Sequence, residues 1–167
     1  MPRHSVPISV SNSHIHLSAS DLRIVLGTSE VGPTTWRGHA KFEASQQHVR
    51  LVGPRGVLDH VRVLLPPTSE TWIELNRTHA FLLGVRPPLE SGELPAGEIV
   101  RIEGPAASLV VRRNVVIEAR HVEITRDEAD HLGLSNGQIV HAEIGGSRAL
   151  VFHNVAIRVL GDARPEF

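Results

Sequence analysis

Eleven histidines and no cysteine in 167 residues define the chemistry open to this chain. Disulfides, thiolate metal ligands and a cysteine nucleophile are excluded, so reactivity rests on nitrogen and oxygen groups. Histidine is both the base that titrates near neutral pH and the commonest nitrogen ligand for metals. His14 and His16 are spaced i and i+2, which in a strand puts both imidazoles on one face while Ile15 and Leu17 pack behind. Chance alone gives about 0.7 such pairs in a chain this rich in histidine, so the pair by itself carries little weight. It gains weight because Arg120-His121-Val122-Glu123-Ile124-Thr125 repeats the element, with His121 at the place of His14 and Glu123 at the place of His16. Three histidines and a carboxylate would complete the ligand set of a zinc ion. His48 opens the strand after an extra loop and is a further candidate ligand. His4, His39, His131, His141 and His153 read as surface or hydrogen-bonded side chains. The competing reading is that the polar residues of both blocks cap helices and line a solvated strand face, with no reason to meet in space.

The elements that must carry these residues come in three related repeats. Ile15-His16-Leu17-Ser18 ending at Gly27, Ile73-Glu74-Leu75-Asn76 ending at Gly84, and Val122-Glu123-Ile124-Thr125 ending at Gly133 each read as a strand entering a short helix. The apolar-polar alternation is that of a half-buried strand, and Ser18, Asn76 and Thr125 are good N-cap residues. Ser18 with Asp21 and Thr125 with Glu128 predict capping boxes, and the glycines predict left-handed helix stops. In the second repeat Trp72 and Glu74 stand where the others have His14 and His16 or His121 and Glu123, and there they read as structural.

A hairpin follows each helix. Its first strands are Val49-Arg50-Leu51-Val52-Gly53-Pro54, Val100-Arg101-Ile102-Glu103-Gly104-Pro105 and Val140-His141-Ala142-Glu143-Ile144-Gly145. The return strands end in His60-Val61-Arg62-Val63, Asn114-Val115-Val116-Ile117 and Asn154-Val155-Ala156-Ile157-Arg158-Val159. Short strands punctuated by 11 prolines and 14 glycines predict a mainly β fold of two small barrels with short helices, 1–69 and 70–167, with strands open to exchange between them. A solenoid is rejected because the first repeat carries an extra stretch, roughly 28–47, containing Gly38. A second long loop runs from Arg86 through Ser91 to Pro95.

Composition excludes several function classes. The net charge of −1 and the even spread of 17 basic and 18 acidic residues offer no field for nucleic acid or anionic lipid. A mean hydropathy of −0.05 and the lack of an apolar run of spanning length predict a soluble protein with no membrane segment. The opening Met-Pro-Arg-His-Ser lacks the blocks of a secretory signal, and the expected location is the cytosol.

Taken in order, Val6-Pro7-Ile8-Ser9-Val10-Ser11-Asn12-Ser13-His14-Ile15-His16-Leu17, Leu51-Val52-Gly53-Pro54-Arg55-Gly56, Thr71-Trp72-Ile73-Glu74-Leu75, Ser91-Gly92 and Arg120-His121-Val122-Glu123 resemble the phosphotransacylases of the propanediol-utilisation type, the phosphate propanoyltransferases. The resemblance covers roughly residues 6–160. It implies two adjoining β-barrels, a zinc site between them, and transfer of an acyl group between coenzyme A and orthophosphate, with small-molecule substrates and a homodimer. It also implies His14, His16 and His121 as metal ligands gathered around one ion across about a hundred residues of sequence. Where the family has a second His-x-His, this chain has Glu123, which still suits zinc. The family's metal-binding glutamate is expected near Gln46 and Gln47, with His48 as its substitute. The phosphate-holding arginine is expected near Thr68, with Arg77 or Arg55 standing in. The family's C-terminal histidine segment is not matched before Phe167, and an N-terminal extension of the kind that directs members into bacterial microcompartments is not expected. Two other functions fit the same residues: an inactive homologue serving as a binding or assembly module, and a metal-dependent thioester hydrolase.

Overall fold

The computed structural model describes residues 5–6, 12–33, 43–89 and 92–161. His4, Gly38, His39 and Ser91, named above, lie outside them. The chain divides into a larger unit, Ser9–Glu118, and a smaller one built on Ala119–Phe167. The boundary expected at residues 69 and 70 falls within the larger unit.

The three repeats fold as their patterns predict. The first is β1 (His14–Ser18), α1 (Ala19–Leu26), β2 (Glu43–Val52) and β3 (Val57–Thr68). The second is β4 (Trp72–Glu74), α2 (Arg77–Leu83), β5 (Val100–Glu103) and β6 (Ser108–Val111), with the short β7 (Val115–Val116) completing its return strand. The third is β8 (His121–Ile124), α3 (Arg126–Leu132), β9 (Ile139–Ile144) and β10 (Leu150–Val159). In every repeat the strand before the helix pairs parallel with the return strand: β1 with β3, β4 with β7, β8 with β10. Each return segment carries a non-glycine residue in the left-handed region, His60 within β3 at φ 57°, Asn114 just before β7 at 56° and Asn154 within β10 at 56°. Three kinks of one kind at equivalent positions show that the repeat is structural as well as sequential.

The helix ends follow from side-chain chemistry. Ser18, Asn76 and Thr125 accept from the backbone N–H three residues on, at 3.1, 2.8 and 3.2 Å. Thr125 and Glu128 close a full capping box, whose hydrogen bonds hold the exposed Glu128 carboxyl below its ordinary pKa. The box expected of Ser18 and Asp21 closes differently. Ser18 N–H donates to Thr71 Oγ1 at 2.9 Å, and that hydroxyl donates to Asp21 Oδ2 at 2.5 Å. The aspartate side chain is one carbon shorter than glutamate, and the threonine hydroxyl spans the gap.

The larger unit is a nearly closed, barrel-like sheet in the order β6-β5-β2-β3-β1-β4-β7. Its core gathers Ile15, Leu17, Leu22, Val25, Leu51, Val63, Ile73, Leu83, Val100 and Ile102, among others. The tip of each hairpin rests on the C-terminus of the other repeat's helix. A Cβ on Gly53 would lie 2.3 Å from Leu83 O, and one on Gly104 2.2 Å from Val25 O. Arg55 N–H and Ala106 N–H donate to those carbonyls at 3.0 and 3.1 Å, so each tip also satisfies a helix-end acceptor. The smaller unit is a three-stranded sheet, β8-β10-β9, over a small core of Ile124, Ala129, Ile157 and Val159.

Candidate metal centre

β1 is an interior strand between β3 and β4. Its alternation sends Ile15 and Leu17 into the core and turns His14 and His16 to the opposite face of the sheet. Register then selects their neighbours. His14 stands opposite Glu74 on β4 and opposite Arg62 on β3, and Arg62 stands opposite His48 on β2. Directly opposed residues share a face, so Glu74, His14, Arg62 and His48 form one row across four strands. His16 faces Trp72 across the same pair, and the two rings pack at 5.0 Å.

On this face His14, His16 and Glu74 converge. His14 Nε2 lies 3.0 Å from Glu74 Oε2, and His16 Nε2 lies 3.9 Å from Oε1. One ligand atom from each of the three falls within 4.8 Å of the others, and the residues are only 4, 2 and 6% exposed. His14 Nδ1 lies 2.9 Å from Asn12 O. A carbonyl only accepts, so Nδ1 carries the hydrogen and Nε2 presents its lone pair to the carboxylate. Two acceptors at 3.0 Å require a cation between them, either a shared proton or a metal ion.

The titration of the pair carries the same message. Burial disfavours charge on His14, but the hydrogen bond and negative charge of Glu74 outweigh it and raise the imidazole above its usual pKa. Burial raises Glu74 as well, against the pull of His14 and with added repulsion from Glu118. The pair therefore holds a proton more firmly than either group would in water. Two imidazoles and one carboxylate that leave a position open are the donor set of a catalytic zinc ion, and these three residues fit that requirement.

A second network fixes the start of β1. Ser13, itself buried, accepts from Asn76 N–H at 2.9 Å and bonds His79 Nδ1 at 2.8 Å. Asn76 Nδ2 donates to Asn12 Oδ1 at 3.3 Å. The strand carrying the histidines is thus tied to the first turn of α2.

Each of the other candidates from sequence has its own surroundings. His48 is exposed, and its ring lies 6.1 Å from that of His60. Arg55 lies over the Phe81 ring at 5.4 Å, and Arg77 is exposed at the start of α2. In the smaller unit His121 repeats the first contact of His14, with Nδ1 2.9 Å from Ala119 O. Its Nε2 lone pair, however, meets a donor, Arg158 Nη1 at 3.3 Å. Glu123 is exposed, in register with Arg158. Two residues on this sheet face are not among the candidates read from sequence. Glu74 was read as structural although it occupies the place of His16 in its repeat, which was the available signal. Arg62 had none, since only strand pairing sets it beside His14.

The sequence matches the phosphate propanoyltransferase family over residues 7–167. It is 39% identical over 163 residues to the phosphate propanoyltransferase of Thermotoga maritima, covering 96% of this chain and 78% of that protein. The Salmonella typhimurium protein of the same name is 38% identical over 168 residues, covering 99% of this chain and 80% of the relative. That of Rhodopseudomonas palustris is 39% identical over 159 residues, covering 92 and 69%. With similarity of this extent, the chain belongs to the phosphate propanoyltransferase family.

Proposed function

We propose that the chain is a metal-dependent phosphate acyltransferase that moves a short acyl group between coenzyme A and orthophosphate. The observation that carries this reading is the buried convergence of His14, His16 and Glu74, two imidazoles beside a carboxylate, in a member of this family. In the reaction a phosphate oxygen forms a bond to the thioester carbonyl carbon, the carbon–sulfur bond breaks, and the thiolate leaves with that electron pair. No protein nucleophile is needed, which accords with the lack of cysteine. A divalent ion held by His14, His16 and Glu74 would supply a Lewis acid to polarise the carbonyl and a positive charge to draw phosphate to it. Asn12 O orients the His14 ring, and the Ser13–Asn76–His79 network keeps the strand in place. Arg62 lies on the same sheet face as His14 and is assigned to phosphate. Arg55 and Arg77, exposed at opposite ends of α2, are assigned to the phosphates of coenzyme A or to free phosphate. His121, Glu123 and His48 are given no share in holding the ion.

No helix among the described residues is long and apolar enough to cross a membrane. A cytosolic setting and a homodimer belong to the same proposal. The test measures loss of thioester from propanoyl-CoA by zinc-loaded and chelated protein, with and without phosphate. Acyl phosphate formed only with metal and phosphate supports the reading. Thioester loss that ignores phosphate would make the protein a hydrolase, and no turnover by the metal-loaded protein would leave a binding module.

A further inference from the structure

The hairpin of the third repeat carries a pair of histidines that the acyl-transfer reading does not use. His141 on β9 and His153 on β10 are both exposed, and their Nδ1 atoms lie 3.0 Å apart with the rings 4.6 Å apart at 77°. The first repeat shows what this position does elsewhere. Val49 pairs with Val61 as Val140 pairs with Val155, and Val61 and Val155 each follow the left-handed residue within the return strand. His141 and His153 therefore occupy the places of Arg50 and Asp59, which form an ion pair at 2.7 Å. Where the first repeat joins cation to anion, the third brings two imidazole nitrogens together.

We propose that His141 and His153 form a second, solvent-facing site for a divalent transition-metal ion of the zinc, copper or nickel kind. Nitrogen ligands 2.0–2.1 Å from one such ion lie about 2.9–3.4 Å apart at right-angle to tetrahedral bond angles, and the Nδ1 separation of 3.0 Å falls in that range. Water fills the remaining positions on the exposed side. The nearby cation does not oppose binding. Arg120 donates to the main-chain oxygen of His153 and lies over the Phe152 ring at 5.3 Å, and Phe152 points to the other face of β10 from His153. Borderline ions with an affinity for imidazole suit two such nitrogens, whereas magnesium and calcium prefer oxygen.

The site is independent of the centre at His14, so a failure there leaves it testable. Metal-stripped full-length protein is titrated with Cu²⁺ and read by electron paramagnetic resonance and calorimetry, in the native sequence and in a His14→Ala/His16→Ala background. The expected result in both is a bound copper with two imidazole nitrogens. The double variant H141R/H153D rebuilds the ion pair of the first repeat and so keeps the hairpin folded, checked by circular dichroism. It should weaken this copper more than tenfold, as should His153→Ala alone. His48→Ala/His60→Ala should leave it unchanged. In the His14→Ala/His16→Ala background, where the other two-imidazole centre is removed, a two-nitrogen signal that survives H141R/H153D, or that vanishes with His48 and His60, would overturn the proposal.

Discussion

His14 and His121 begin alike and end differently. Both open a strand before a capped helix, and both give the Nδ1 hydrogen to a carbonyl two residues back at 2.9 Å. The difference is what meets Nε2: a buried carboxylate at 3.0 Å in the larger unit and a guanidinium at 3.3 Å in the smaller. A lone pair facing an acceptor needs a cation, while one facing a donor is already satisfied. The same motif thus meets a carboxylate in one place and a guanidinium in the other. Strand order decides which. β1 has β4 as its second neighbour and so receives Glu74, whereas β8, among the described residues, pairs only with β10 and receives Arg158.

The largest expected effect tests that contrast directly. Glu74→Gln should weaken the tight metal more than about 100-fold, beyond the effect of losing a supporting group, whereas His121→Ala and Glu123→Gln should leave it in place. Metal analysis of the purified variants reads the outcome. A His121→Ala protein stripped of metal would break the comparison and restore His121 to the ligand set.

Hairpin packing gives the next contrast. Gly104→Ala drives a methyl group into Val25 O and should cost about 1–3 kcal/mol. Gly145, at the equivalent tip of the third repeat, has no heavy atom within 4 Å of its would-be Cβ among the described residues beyond its chain neighbours, and Gly145→Ala should stay within about 0.5 kcal/mol. Denaturant unfolding of both variants measures the difference.

pH dependence sharpens the account of the larger unit. His14 and Glu74 both titrate above their ordinary values of 6.5 and 4.5, so folding of the metal-free protein favours their protonated forms. The His14 contribution is complete below pH 6.5 and is lost as pH rises through its folded value, and that of Glu74 fades similarly from pH 4.5 upward. Stability of the stripped protein should fall over this range. Stability gained from zinc should rise over it, because the ion displaces the proton. Thermal melts with and without metal across pH should give slopes of opposite sign, and parallel slopes would remove the ion from this pair.

The smallest effect lies in the smaller unit. Thr125→Ala removes one half of a complete capping box and should cost about 1 kcal/mol, read by urea unfolding followed at the α3 amides.

Much of the fold was legible because its signals are local. Ser18, Asn76 and Thr125 cap helices through hydrogen bonds spanning three residues. Gly27, Gly84 and Gly133 stop them by taking a left-handed turn that other residues resist. The three return strands were visible as repeats before their shared kink at His60, Asn114 and Asn154 was known. Asp21 was the local exception, since its partner in the cap is Thr71, 50 residues away.

By itself, then, the sequence determined the mainly β architecture, the three strand-helix-hairpin repeats, the pairing of His14 with His16 on one strand face, and the family. Those properties depend on side-chain period, capping chemistry and residue identity, all of which operate over a few positions. Only the tertiary structure decided that Glu74 stands beside the histidine pair, that Arg62 joins its row, and that Arg158 meets His121. Each of these follows from which strand lies beside which and in what register. Because side chains alternate with a period of two, a shift of a single residue would send every one of them to the opposite face.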